Sequence, residues 1–274
     1  MSFGFGHRLP NSRALPPAGG GGAAVNWPTL FGATQGFAYD GTQSHFWSDV
    51  GMTTDATVSG TTPTAVIEDV SGNGHHAWQN QTNNMPIYYT DGAVKSILYG
   101  TLNGGQPYCT MIVGDGAFYS TTAQTIIAVV RNVANGGNGT NLLTNYNGGW
   151  SEGTYFGLRY VNGTTASFLA NNNASTQPEC AAALATNHII VARRSGLGTN
   201  ESTLAVYDMT GQLLTSATGS NNIGNQGPLR LGANVSGSGK ARMSLMAYLK
   251  RHLTDEEVAS TVASVAFSHG GWTV

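Results

Sequence analysis

The feature that most constrains this chain is a succession of short apolar runs, each closed by a cluster of Gly, Asn, Asp or Ser. Residues 125–131 (TIIAVVR) and 188–194 (HIIVARR) are mostly apolar and rich in β-branched side chains. Residues 203–208 (TLAVYD) alternate, 209–212 (MTGQ) turn the chain, and 213–217 (LLTSA) pair back as a hairpin. Residues 229–231 (LRL) and 242–249 (RMSLMAYL) supply two further strands. Residues 155–161 (YFGLRYV) run into Asn162-Gly163, the strongest short hairpin signal. Many short strands with regular turn signals predict an all-β, antiparallel jelly-roll sandwich, and 274 residues suit one large domain of that kind.

One helix interrupts the pattern near the C-terminus. Thr254 is a good N-cap and Glu257, three residues on, completes a capping box. Asp255 and Glu256 fall in the first turn, where the helix dipole favours anions. Val258, Val262 and Val265 form one apolar stripe, which predicts a packing helix of roughly three turns.

Residues 1–25 read as an arm, with the jelly roll over 26–274. Pro10, Pro16, Pro17 and four consecutive glycines from Gly19 cannot continue a helix or a central strand. One reading is a disordered leader. The other is an anchor that orders on a partner surface, using Phe3, Phe5 and Leu9 as apolar contacts and Arg8 and Arg13 as cations.

Charge narrows the partners. Only 9% of residues are charged, against about 25% in an ordinary soluble domain. Asn, Thr, Ser and 38 glycines fill the polar positions instead, a surface suited to uncharged hydroxyl-rich ligands. A net charge of -2 without a basic patch argues against nucleic acid. No apolar run reaches the roughly 18 residues that membrane insertion needs. The N-terminus lacks the apolar core of a secretion signal, so synthesis in a cytoplasm is expected. Cys109 and Cys180 match no metal spacing and read as separate reduced thiols, with pairing left open.

Catalytic motifs are weak. A glucan-hydrolysing sandwich sets its carboxylates at alternate positions of one strand, and no such triplet occurs. Gly149–Gly153 (GWSEG) matches a serine-nucleophile pattern but sits between strands, where a turn is the simpler reading. Residues 237–241 (GSGKA) lack the flanking residues of a phosphate loop. Residues 69–74 (DVSGNG) read as a structural turn, with calcium ligation the alternative. His75 and His76 are adjacent and would point apart on a strand.

The best binding candidate is the loop over 145–152 (NYNGGWSE). Tyr146 and Trp150 offer ring faces for stacking, and Asn147 and Glu152 offer hydrogen bonds, the combination that holds a sugar. The alternative is a loop whose Trp150 plugs the edge of the core. Residues 79–84 (QNQTNN) with Tyr88 and Tyr89 form a weaker second candidate, because tyrosines in strands usually pack.

The order of segments from TIIAVVR through FGLRYVNGTTASF, NHIIVARRSG and STLAVYDMTGQLLTSATG to GPLRLGANVSGSGKARMSLMAYLKRHLTDEEV resembles the concanavalin A-like / laminin G-like lectin superfamily. Residues 68–79 (EDVSGNGHHAWQ) are similar to the segment that opens such domains in phage proteins. FWSDV at 46–50 and Met85-Pro86 before a strand fit the same architecture. The opening MSFGFG with its glycine-rich stretch resembles structural proteins of tailed phages and gene transfer agents. The resemblance covers roughly residues 40–268 and implies a non-catalytic, cofactor-free surface protein. Such a protein would be a spike, fibre or decoration of a virion or virus-like particle, assembled in a bacterial cytoplasm. It would dock on other particle proteins through its N-terminal arm, self-associate as a homo-oligomer and adhere to host surface polysaccharide. A purely structural decoration protein and a polysaccharide-degrading enzyme are the competing expectations.

Overall fold

The computed structural model describes residues 22–100, 111–113, 123–134, 140–144, 156–161, 164–170, 177–195, 201–220, 229–232 and 240–272. Along these the elements run α1 (Trp27–Phe31), β1 (Gly36–Asp40), β2 (Phe46–Trp47), β3 (Val66–Ile67), β4 (Ala77–Trp78), a 3-10 turn (Thr82–Asn84), β5 (Ile87–Asp91), β6 (Val94–Gly100), β7 (Met111–Val113) and β8 (Gln124–Ala134). They continue with β9 (Thr140–Thr144), β10 (Phe156–Val161), β11 (Thr165–Ala170), β12 (Glu179–Ala181), β13 (Asn187–Arg194), β14 (Glu201–Tyr207), β15 (Leu213–Ser220), β16 (Arg230–Leu231), β17 (Lys240–Leu249) and α2 (Asp255–His269).

Two antiparallel sheets face one another, as the turn-punctuated sequence predicts. Among the described residues, an eight-stranded sheet runs β15-β14-β13-β8-β17-β6-β5, with β1 also on β17. A nine-stranded sheet runs β12-β11-β10-β9-β16-β7-β4-β3-β2. Between them lies one continuous core that includes Phe37, Tyr99, Ile126, Val130, Leu143, Leu158, Phe168, Ile190 and Tyr248.

The eight-stranded sheet is covered on both faces. Ile126, Ala128 and Val130 of β8 point into the sandwich, while Ile127 and Val129 point outward onto a second core. That second core is closed by Val258, Val262 and Val265 of α2 and by Trp27 and Phe31 of α1. A strand buried on two faces reads as an unbroken apolar run, which is why TIIAVVR does not alternate. The expected capping box is complete: Glu257 N donates to Thr254 Oγ1 at 3.2 Å, and Thr254 N donates to Glu257 Oε2 at 2.8 Å. α2 spans 15 residues, about four turns, because Ala266 and His269 prolong its buried stripe past Val265.

β17 organises the centre. One of its edges pairs with β8 along its whole length; the other pairs with β6 over residues 240–243 and with β1 over residues 245–249. Where β1 hands over to β6, Gly41 N donates to Ser244 O at 2.6 Å and Lys95 N donates to Gly41 O at 2.9 Å. A Cβ on Gly41 would stand 1.8 Å from Lys95 O, so only glycine fits this three-strand seam.

Beneath the seam, Asp40 is fully buried. Its carboxylate accepts from Trp27 Nε1 at 2.8 Å, Thr42 N at 2.8 Å, Thr42 Oγ1 at 2.6 Å and Gln43 Nε2 at 3.1 Å. His269, from the last turn of α2, brings Nε2 to 3.5 Å from the same carboxylate. A buried carboxylate is tolerable because donors replace its lost water. Here they join α1, β1 and α2, and α1 itself escaped the sequence reading because only five residues are helical.

Candidate functional site

One sheet has its outer face buried under helices; the outer face of the other is only partly covered, since Val66 and Thr144 are buried and Trp47 packs against a small cluster of Ala65, Val66 and Met85, whereas Trp78 is exposed. Successive cross-strand partners run Trp47 (β2), Val66 (β3), Trp78 (β4), Ile112 (β7), Arg230 (β16), Thr144 (β9) and Gly157 (β10). Their sequence neighbours Phe46, Ile67, Ala77, Val113, Leu231, Leu143 and Leu158 lie in the inner core. Side chains alternate along a strand, so the row through Trp47 and Trp78 faces outward.

The edge end of this row is aromatic. Trp78 is 38% exposed and Trp47 is half-buried. One strand separates them, which sets their backbones about 9–10 Å apart. His45, two residues before Trp47 and hence on the same face, stacks on its indole with centroids 4.7 Å apart and planes at 26°. Asp55 Oδ1 lies 2.7 Å from His45 Nε2, and His45 N donates to Glu68 Oε2 at 3.1 Å. Both partners of the His45–Asp55 pair are about half exposed, so the pair orients the imidazole more than it stabilises the fold.

Amides adjoin the exposed indole. Residues 79–84 follow β4 directly; Asn80, Gln81, Thr82 and Asn83 are exposed, and Asn84 Nδ2 donates to Gln81 Oε1 at 2.6 Å. The second sequence candidate is thereby divided. Its amide-bearing turn stands next to Trp78, whereas Tyr88 is buried in the core and Tyr89 lies beneath Arg242 on the opposite sheet. An exposed indole beside neutral amides is suited to stacking on, and hydrogen bonding to, uncharged polar rings.

Tyr146, Asn147, Trp150 and Glu152 lie outside the described residues, as do Phe3, Phe5, Arg8, Leu9 and Arg13. Residues 145–155 connect Thr144 to Phe156, so the loop carrying Trp150 departs from a member of the outward row. Sequence reasoning used Trp47 and Trp78 only as marks of the fold. The missed signal was a tryptophan in each of two very short strands with polar residues around it.

The DVSGNG segment is a turn that holds itself together. Asp69 Oδ1 accepts from Ala38 N and Ser71 N, both at 2.9 Å, and Oδ2 accepts from Ser71 Oγ and His75 N, both at 2.8 Å. Gly72 and Gly74 take φ of 90° and 76°, conformations that glycine adopts without strain. With both oxygens of Asp69 engaged by protein donors, the structural turn is the reading this geometry favours over calcium ligation. Among the described residues no group of three His, Cys, Asp or Glu side chains could hold a metal ion. Cys180 is an unbridged thiol in the core, donating to Leu204 O at 3.3 Å, and burial pushes its pKa up against an opposing contact from Thr215. Cys109, GWSEG and GSGKA fall wholly or mainly outside the described residues. No described helix is long and apolar enough to cross a membrane.

No family model matches the chain and no curated protein matches it in sequence. Solved structures do match. The binding domain of Paraclostridial Mosquitocidal Protein 1 aligns over 72% of this chain and 49% of that one, at 17% identity and a TM-score of 0.50. The receptor binding domain of botulinum neurotoxin type G aligns over 72% and 48% at 12% identity and 0.49. A mutant Trypanosoma rangeli sialidase displaying trans-sialidase activity aligns over 86% and 33% at 13% identity and 0.49. The last two are too distant to carry an argument, and the chain spans about half or less of each structure's length. What the first shows is the fold: this chain is an antiparallel β-sandwich similar in architecture to a toxin's binding domain.

Proposed function

We propose that this chain is a non-catalytic adhesion domain that recognises surface polysaccharide through the outer face of its nine-stranded sheet. The observation that carries the reading is the exposed indole of Trp78, followed directly by the amide-bearing residues 79–84, with the half-buried, His45-stacked Trp47 two strand spacings away on the same face. Rings at that separation offer platforms for successive sugars of a chain, and weak stacking at each becomes firm attachment when many copies act together. The loop carrying Tyr146, Asn147, Trp150 and Glu152 springs from the same row and would extend the site. The finer reading, a spike, fibre or decoration protein docked on a virus-like particle by residues 1–25, rests on the sequence resemblance.

The test is binding of the purified protein to a panel of immobilised bacterial surface polysaccharides, with released reducing ends assayed in parallel. Saturable binding without release, weakened about tenfold or more by Trp78→Ala, is expected. Absence of binding to every polysaccharide by a folded protein would overturn the adhesin and leave a decoration protein. Release of reducing ends would overturn the non-catalytic reading. For the particle, removal of residues 1–21, which spares the buried Val25, is expected to abolish co-sedimentation with particles while leaving glycan binding intact.

A further inference from the structure

The sandwich protects its sheet edges unequally. The outer edge of β5 is covered by the preceding segment: Gly60 N donates to Tyr88 O, Tyr88 N to Thr62 O and Thr64 N to Pro86 O, at 2.8, 2.9 and 2.8 Å. The edge of β2 is covered by residues 54–56, through Ser48 N to Thr54 O and Ala56 N to Phe46 O. β12 ends its sheet with only three residues and carries exposed Glu179. Short, charged or covered edges are the usual defences against unwanted strand pairing.

Among the described residues β15 has none of these, and its one irregularity is a bulge at its start, at Leu214. It is eight residues long (LLTSATGS), carries no charge and no proline, and among the described residues pairs only with β14. Leu214, Ser216, Thr218 and Ser220 are exposed, whereas Thr215, Ala217 and Gly219 turn toward the core side. At its start Leu213 and Leu214 are 44% and 52% exposed. They follow Gly211, whose hairpin turn lies against Val262 and Ala266 of α2. A bare backbone edge takes a β-strand, and an edge without charges can take its own copy without opposing like charges.

We propose that β15 pairs antiparallel with β15 of a second copy of this chain, joining the two eight-stranded sheets across a two-fold axis. The pleat restricts the register. Opposed residues must point to the same face, so the axis falls on a residue, Ser216 or Ala217 near the strand's middle. Ser216 then stands opposite the partner's Ser216 in the first register and opposite the partner's Thr218 in the second. This inference is independent of the glycan reading.

The experiment is a concentration series by analytical ultracentrifugation on the full chain. Wild type is expected to dimerise. The variant Ser216→Lys/Thr218→Lys opposes lysines in either register and should weaken the dimer about tenfold or more, with an unchanged circular dichroism spectrum because both sites are exposed. Ser216→Glu/Thr218→Glu should do the same, and mixing the two variants should restore a heterodimer. A monomeric wild type, or a dimer indifferent to these charges, would overturn the proposal. So would a dimer lost only when residues 1–21 are removed, which would assign the contact to the arm.

Discussion

The guanidinium carbon of Arg242 lies 4.5 Å from the ring centroid of Tyr89. Arg242 stands on β17 and is 6% exposed; it also lies 5.7 Å from the Trp272 ring and donates from Nη2 to Ser96 Oγ at 2.8 Å. A cation held among aromatic faces keeps its charge out of water at tolerable cost, and here it ties the last described residue to the sheet. Arg242→Ala is expected to destabilise the fold by about 2–4 kcal/mol, from the lost cation–π contacts and the charged hydrogen bond. Urea denaturation checks it, and Arg242→Lys should recover only part of the loss because an ammonium lacks the planar stacking face.

Asp40→Ala should be costlier. It strands the buried indole N–H of Trp27 and leaves buried His269 without its carboxylate, and such deletions cost about 3–5 kcal/mol. The same denaturation experiment should show it, and increased fluorescence quenching of Trp27 should accompany the release of α1.

Acid should weaken the fold through histidines. Burial, the largest influence, lowers the pKa of His269 from its ordinary value, with the Asp40 carboxylate and the carbonyls of Val265 and Ser244 opposing. Burial likewise lowers His188, against Thr186 and Asp208. A group depressed in the folded state binds fewer protons there than in the unfolded chain, so its contribution is complete above the unfolded value of about 6.5 and is lost as pH falls below it. The thermal midpoint should therefore drop below about pH 6.5, and His269→Gln should flatten that drop.

Gly41→Ala probes the seam. A methyl group there meets a backbone carbonyl of β6, which cannot move without breaking strand pairing, so the loss should exceed the roughly 0.5–3 kcal/mol of an ordinary substitution. Thr254→Ala, which removes one arm of the capping box, should cost only about 1 kcal/mol. Hydrogen exchange should place the first change at β1, β6 and β17 and the second in the opening turn of α2.

Much of the architecture was legible because it is written in short-range periodicity. TIIAVVR, HIIVARR, TLAVYD and RMSLMAYL each became part of a strand, MTGQ became the β14–β15 turn, and Thr254 with Glu257 began α2. Within FWSDV only Phe46–Trp47 is strand, because Asp49 accepts backbone bonds from Thr53 and Thr54 and turns the chain. The candidate site was less legible. Tyr88 and Trp78 both sit in β segments with polar neighbours, yet one is core and the other exposed, since alternation does not say which face is the inner one.

What the sequence alone determined is the list of parts: short strands, their turns, one capped helix, and a neutral surface suited to polar ligands. Each follows from the conformational preferences of a few adjacent residues. Which strands became neighbours was decided only by tertiary structure. β1 sits beside β17 from the far end of the chain, and Trp47 and Trp78 share a face only because β3 lies between their strands. Those choices come from burying whole sheet faces against each other and against α1 and α2, a free energy that depends on distant segments together and on no short stretch by itself.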